Sequence, residues 1–575
     1  MPPTLIELRP NRRLLDNDFE GYKLNLNALP HWSYELQTPT DKVHPDDTQY
    51  SFLHAKLFAL HNHLVADRWN HRYTFYYIDH TQQVRRVAFD NEYHLFQSSV
   101  VYNIPVHGDR KPGHFNLCLT FPSNDLALIS DGRGYLNLVS TEGRGSSDAQ
   151  WKTLHSTLVL EENKYFVIID CRTQEKNDET IVHCLLQSIE QVNNHFHSVL
   201  SWLTFTKVEM EWKQISMRQL QGKGIVHYAA IETNFTALYI ASDNQFNFIN
   251  DTEYNILDPP KDEKKIIYTW LQTMEDITIC LKLPQEYDKK LFHVEVGRLN
   301  IKVSYAGTMF INGILENNVD SELTTWNVQE NGQVDILVTK SNSLMWKQLV
   351  EGGDESGEQV MDTSLVEEAH MRLAHLCSES EVAPDKMAPG LSTQQLEECD
   401  AASEEDTTLV RLDVSDHKVT HRIPLSVLQY LFHIIIEPTE VPAIALRHDV
   451  DACLWQPYAK LPTNNQWLMQ HQGTLSAFGY IQSSKQNKKF VTCPPNFGYS
   501  VVCESSRHIF LYKNFDNESH GCQLRRRTPG TSAKKVNVGH QYLFNIDKYG
   551  QVLGIHATNS HLFILTETML VAIEI

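Results

Sequence analysis

Most of the chain alternates apolar and polar residues over short runs, with Asn, Asp, Ser or Gly at the breaks. That is the pattern of half-buried strands joined by turns, because successive side chains on a strand point to opposite faces. VRRVAFDNEYHLF, FNLCLTFPSNDLALISDGRGYLNLVS, KYFVIIDCR and IVHYAAIETNFTALYIASDNQFNFIN all read as strand, turn, strand, and no α/β alternation interrupts them. HAKLFALHNHLVADRW is the early exception. Its Leu57, Leu60, His61 and Leu64 share a helical face, so helix and strand both fit. From Leu409 onward TLVRLDV, YLFHIIIEP, AIALRHDVDACLW, GTLSAFGYIQ and KKFVTCPPNFGYSVVCES resume the strand texture.

Three segments, beginning at Phe115, Val226 and Val552, can be laid over one another as three strands with two polar turns; a weaker fourth copy begins near Tyr499. The intervals of 111 residues (115 to 226) and 53 (499 to 552) both fit a period of about 55. Sheets of this size cannot bury both faces alone, so they stack around a channel. The expected fold is all-β: a split seven-bladed β-propeller built from residues 1–255 and 409–575, with eight as the alternative count and two separate β domains as the alternative architecture. A C-terminal strand pairing with early sequence would close the ring and remove its unpaired edges.

Between the halves lies a different texture, an antiparallel β-sandwich over 262–350. Ile277, Ile279, Leu281 and Leu283 fall on one face of a strand, Thr278, Cys280 and Lys282 on the other, and Pro284 ends it. Val294 and Val296 pair with Ile301 and Val303 around a Gly297-Arg298 turn. Asn331-Gly332, between Trp326-Asn327-Val328 and Val334, Ile336 and Val338, reads as a hairpin turn needing positive φ. Trp270-x-Gln272-Thr273, Asp276, Leu283-Pro284, Gly313-x-Leu315, Trp326, Asn331-Gly332, Lys340 and Trp346 together resemble the CS domain of the NudC family. The resemblance implies a unit that binds chaperones and clients and has no catalysis of its own. Where that family ends in paired tryptophans, this chain has Met345-Trp346. The partner-binding residues implied are Trp270, Gln272, Thr273, Glu275, Asp276, Trp326, Lys340 and Trp346; ordinary core burial is the competing reading for Trp326 and Trp346.

Charge changes the picture at one place. Of the formal net charge of −21, fourteen units fall between Glu351 and Asp406, where sixteen Asp and Glu face two Lys and Arg. Residues 351–408 therefore read as an acidic, partly disordered linker. Within it, Ser364 caps a short helix with Leu365, Ala369, Leu373 and Leu376 on one face, similar to the helix that often follows the CS domain in NudC relatives. The folded remainder is only mildly acidic, so no direct nucleic-acid binding is expected. No apolar run is long enough for a membrane helix, and none resembles a signal peptide.

Chemistry is sought and mostly missing. No phosphate-binding Gly-rich loop, nucleophile elbow or zinc motif occurs, and the ten cysteines lack metal or disulfide spacing. DGRGYLNL reads as a hairpin turn, and His61-Asn62-His63 lacks the acidic cluster a metal nuclease would need. No cofactor, metal or small-molecule substrate is expected.

The resemblance and the repeats together imply a non-catalytic co-chaperone or adaptor in cytoplasm and nucleus. Its partners would be a heat-shock chaperone of the ninety-kilodalton class, β-propeller clients, or both, and the propeller would add a second docking surface. A scaffold in vesicle-coat, dynein-transport or ribonucleoprotein assemblies is the alternative, and an enzyme with its site in the propeller channel a third. Arg525, Arg526, Arg527, Lys534 and Lys535 form one basic cluster, read as an inter-blade loop or as a nuclear-import or polyanion patch. If import is its role, replacing all five with Ala lowers the nuclear fraction of the chain in fractionated cells; an unchanged fraction removes that role.

Overall fold

In the computed structural model, residues 3–575 are described except 70–72, 147–148, 162, 177–178, 193–194, 210, 254–266, 284–286, 330–331, 343, 347, 351–356, 360–406, 427, 461–465, 486, 515–523 and 527–533; the side chains of 358, 359, 524–526, 534 and 535 are also outside the description. The expected helix from Ser364 to Leu376 lies outside the described residues. The chain divides into two compact units, Met1–Ile256 with Asp400–Ile575, and Leu257–Cys399.

Among the described residues, the first unit contains seven β-sheets. Their first strands begin at Val65, Cys118, Val167, Val226, Tyr430, Lys488 and Val552. Each sheet packs its apolar faces against the next. One buried cluster joins Phe75 and Val87 to Phe563 and Leu570; another joins Ile78 to Leu119; a third joins Leu128 to Val182. Leu200 packs with Ile240, Tyr239 with Ile444, Leu454 with Val502, and Val501 with Ile555. Every gap between neighbouring sheets is thus filled by a dry core, and the series returns to its start. The unit is a seven-bladed propeller, with residues of all seven first strands lining one central cavity.

The repeats are visible in the strands, with two corrections. Asn247–Asp251, aligned as the third strand of its own repeat, instead crosses to the edge of the preceding blade and pairs with Glu211–Gly222. The third strand of the blade begun by Val226–Ile231 and Ala237–Ser242 is Thr408–Asp413, on the far side of the inserted unit. Tyr499 begins the second strand of its blade rather than the first, because Lys488–Thr492 precedes it. The ambiguous early segment divides: Phe52–Ala59 is a helix whose N-cap Ser51 accepts from the His54 amide, and Val65–Ala66 opens the next blade. DGRGYLNL is a turn followed by a strand, with Gly132 at φ +70°, where a Cβ would strike the Phe115 carbonyl.

The first 35 residues cover sheet edges. Thr4–Leu5 pairs parallel with Val419–Pro424, Phe19–Leu24 pairs parallel with Lys534–Asn545, and His31–Glu35 pairs antiparallel with Met569–Glu574. Between the first two, the Asn11 amide donates to His471 Nδ1 at 3.0 Å. This strap crosses successive blades of the C-terminal half and satisfies edges that would otherwise template aggregation. Its last strand closes the ring.

The interrupted blade carries a buried ion pair at its join. Arg411, in Thr408–Asp413, donates from Nε and Nη2 to the two carboxylate oxygens of Glu232 at 2.9 and 2.6 Å, with both side chains almost wholly buried. Glu232 lies in the turn between the blade's first two strands and also accepts from the Tyr239 hydroxyl and the Lys460 amide. Burial alone would raise its pKa, but Arg411 and these donors hold it below the usual glutamate value. Replacing Arg411 with Ala strands a buried carboxylate, so we expect a loss of about 3–5 kcal/mol in urea denaturation of the full chain, with part recovered in Glu232→Gln/Arg411→Met. Because the Glu232 pKa is depressed on folding, its contribution is present at neutral pH and lost as pH falls through the depressed value. Denaturation midpoints in Arg411→Met/Glu232→Gln should therefore fall less steeply in acid than those of the parent.

Candidate partner-binding site on the inserted unit

The inserted unit is a sandwich of two sheets, one ordered Val319–Val328, Gln333–Lys340, Asp276–Lys282, Tyr268–Gln272, Gly357–Gln359, and one of Phe292–Val296, Asn300–Tyr305 and Thr308–Ile314. Ile277, Ile279, Leu281 and Leu283 all point into its core, with Val334, Ile336 and Val338 from the neighbouring strand. Gly332 has φ +79°, as the expected hairpin turn requires; Asn331 and Pro284 are outside the described residues.

Four of the motif residues, Gln272, Thr273, Lys340 and Trp346, are brought together at one end of this sandwich, where they act mainly on one another. Gln272 Nε2 donates to the Trp346 carbonyl at 2.7 Å, and Gln272 Oε1 accepts from the Trp346 amide at 2.8 Å. The side-chain amide thus substitutes for a strand pairing and pins the segment after Lys340. Lys340 Nζ completes the arrangement by donating to Gln272 Oε1 and to the Thr273 and Leu344 carbonyls, at 2.7–2.8 Å. These are the three donors an ammonium has. Burial draws the Lys340 pKa below its usual value, opposed by Asp276 and Glu316. Its ammonium also lies 5.8 Å from the centroid of the Trp346 ring.

Trp270, Gln272, Lys340 and Trp346 are buried and present almost no surface to a partner. Thr273 and Glu275 lie in the exposed turn between the first two strands. Thr273 Oγ1 accepts from the Glu275 and Asp276 amides, and half-buried Asp276 accepts from the Thr339 hydroxyl. Trp326 is 46% exposed on the edge strand Val319–Val328, its ring T-shaped against Phe292 at 5.4 Å. Of the eight residues, then, Thr273, Glu275 and Trp326 are open to solvent, Asp276 is half so, and four hold the frame.

The frame displays residues that sequence reasoning did not single out. Because one ammonium binds both the Thr273 and Leu344 carbonyls, the turn and the C-terminal segment are held side by side. Met274, Leu344 and Met345 emerge from them 53%, 54% and 56% exposed, immediately beside buried Trp346. Met side chains adapt to varied apolar surfaces. The only signal in the sequence was Met345, noticed as a departure from a tryptophan pair. In the basic cluster, Arg525 and Arg526 lie on a short strand, Leu524–Arg526, opposite Lys535 and Lys534 on the long strand of the sixth blade. The cluster is thus a hairpin within a blade rather than an inter-blade loop; Arg527 lies outside the described residues.

Residues 266–340 match the CS domain family. The chain is 33% identical to NudC domain-containing protein 1 of Mus musculus, over 99% of this chain and 98% of that protein. The chain belongs to the NudC domain-containing protein 1 family. Its Xenopus laevis relative is 31% identical, again over 99% of this chain and 98% of that one. Among solved structures, Sqt1 from Chaetomium thermophilum is similar at 10% identity and a TM-score of 0.29, over 86% of this chain and 90% of that one. The CS domain of this family member therefore interrupts a propeller blade, and its motif residues first serve to fasten its own last segment.

Removing the fastener exposes its role. In Gln272→Ala the Trp346 amide and carbonyl lose their partners together, at a cost of about 1–3 kcal/mol. Hydrogen exchange of the full chain should show the Trp346 amide losing protection by about tenfold or more, with the propeller strands unchanged. Equal protection at Trp346 would show that the side-chain amide does not carry this segment.

Proposed function

We propose that the chain is a non-catalytic co-chaperone or adaptor whose CS unit binds a heat-shock chaperone of the ninety-kilodalton class or a β-propeller client, the propeller supplying a second docking surface. The observation that carries this reading is the apolar trio Met274, Leu344 and Met345, held exposed on the Gln272–Lys340 frame of a NudC-type CS domain. The hydrogen-bonded support holds the backbone beneath these side chains in place, so binding costs little further backbone freedom. Glu275 beside Met274 adds an acidic rim, suited to a partner surface that mixes apolar and basic groups. A propeller in the same chain raises the local concentration of whatever it holds for the CS unit.

The reading is tested with the full chain and Met274→Glu/Leu344→Ser/Met345→Glu, whose substitutions are all at exposed positions and leave the core intact. Binding of the purified chaperone or of a propeller client should weaken by about tenfold or more, and suppression of client aggregation should fall with it. Unchanged affinity for both partners would overturn the assignment of this patch, and absence of binding by the parent chain would overturn the co-chaperone reading itself.

A further inference from the structure

His61-Asn62-His63 finds a place that its letters did not reveal: the wall of the propeller's central cavity, a space of about 620 Å³. Two lysine ammonium groups and the main chain of His63 converge on three consecutive residues at the start of the seventh blade. Lys42 Nζ donates to Gln551 Oε1 at 2.5 Å, Lys489 Nζ to the Val552 carbonyl at 2.7 Å, and the His63 amide to the Leu553 carbonyl at 3.1 Å. The carbonyls of Val552 and Leu553 belong to adjacent strand residues, about 3.3 Å apart along the chain, so the Lys489 ammonium and the His63 main chain are held close together. The His61 ring lies 4.6 Å from that of His63.

The charges here are not balanced. Among the described residues, Asp41 is the one carboxylate lining the cavity, and Arg110 already holds it through two hydrogen bonds of 2.5 and 2.8 Å. Among the described residues, Lys42 and Lys489 have no carboxylate partner. Lys56, elsewhere on the wall, is near His227, which Asp243 binds at 2.7 Å, so that part of the cavity carries its own counter-charge. The effect shows on the titrating groups. Burial, then the like charge of Lys42, brings Lys489 down to about 8. Burial brings His61 to about 4, and burial, then neighbouring His61 and the charges of Lys489, Lys42 and Arg110, push His63 well below its usual value. Such a cluster is held under repulsion that an anion would relieve.

We propose that Lys489, His61 and His63 on the cavity wall, with Lys42 next to the lining residue Asp41, form a binding site for a compact phosphate-bearing small molecule at this end of the propeller cavity. The volume falls in the range of small-ligand pockets. Leu53, Lys56 and Leu57 of the helix Phe52–Ala59 occupy part of the wall, which disfavours a threaded acidic peptide. Lysine ammonium groups serve as point-charge phosphate ligands. The molecule is bound rather than transformed, and its negative charge favours the ammonium form of Lys489, which burial and Lys42 bring down to about 8, so Lys489 takes up a proton as the molecule binds at pH 8.

The test is titration calorimetry of the full chain with tripolyphosphate at pH 6.5 and pH 8, in two buffers of different ionisation enthalpy. The expected result is one saturable site, tighter at pH 6.5 than at pH 8, with proton uptake at pH 8. Lys489→Gln and, independently, Lys42→Gln at its half-buried position each weaken binding by about tenfold, with melting temperatures as in the parent. Arg525→Gln/Arg526→Gln/Lys534→Gln/Lys535→Gln binds as the parent does. Absence of saturable binding at millimolar tripolyphosphate, affinity untouched by both lysine variants, or loss of binding in the hairpin variant would overturn the proposal. So would a poly-glutamate peptide that outcompetes tripolyphosphate, which would assign the cavity to an acidic chain.

Discussion

The ion pair between Glu232 and Arg411 is the interaction on which the architecture depends. A propeller is stable because each blade buries both faces against its neighbours, and one of these blades is assembled from two stretches separated by a whole inserted unit. Hydrophobic burial drives the stretches together, and the apolar alternation sets which face of each strand is buried. Two directed hydrogen bonds between groups that cannot remain buried alone penalise any register that would part Arg411 from Glu232. Arg411 lies beside Tyr239 in the strand pairing, and Glu232 in turn binds the Tyr239 hydroxyl and the Lys460 amide, so the same carboxylate ties the join to the next blade.

The strap formed by the first 35 residues solves the complementary problem. Blades completed after the insertion present outer edges with unpaired amides and carbonyls, which parallel pairing by Thr4–Leu5 and Phe19–Leu24 and antiparallel pairing by His31–Glu35 cover in turn. The inserted sandwich has a separate core and its own fastening. Gln272 and Lys340 spend their hydrogen-bonding capacity on Trp346, Thr273 and Leu344, and the result is a rigid edge from which Met274, Leu344 and Met345 project. Structure and recognition are thus divided between neighbours in sequence: Gln272 and Trp346 hold the frame, and the residues beside them, Met274, Leu344 and Met345, present the surface.

Much of the fold was legible because strand alternation and a period near 55 are local properties, written in each segment independently. The repeat beginning at Val226 was misaligned at its third strand because Asn247–Asp251 has the right pattern and the nearer position, while its actual replacement, Thr408–Asp413, is more than 150 residues away. The CS resemblance located the sandwich and the residues that matter to it, yet their roles were not written in their types. Gln, Thr and Lys near a strand end look like recognition groups until the backbone brings Trp346 within reach of Gln272, when they become ligands for main chain.

The alternation of apolar and polar residues determined by itself that the chain is all-β, repeated and interrupted, because burial of one strand face is decided within a few residues of sequence. The family motif determined that the interruption is a CS domain. Only the tertiary structure decided which strands complete which blade, that the first residues strap the ring, and that Gln272 and Lys340 face inward while Met274 and Met345 face out. The same is true of the cation cluster around His61, His63, Lys42 and Lys489, which are brought together by closure of the ring. Such groupings depend on contacts between residues hundreds of positions apart, and no local pattern in the chain encodes the distance between them.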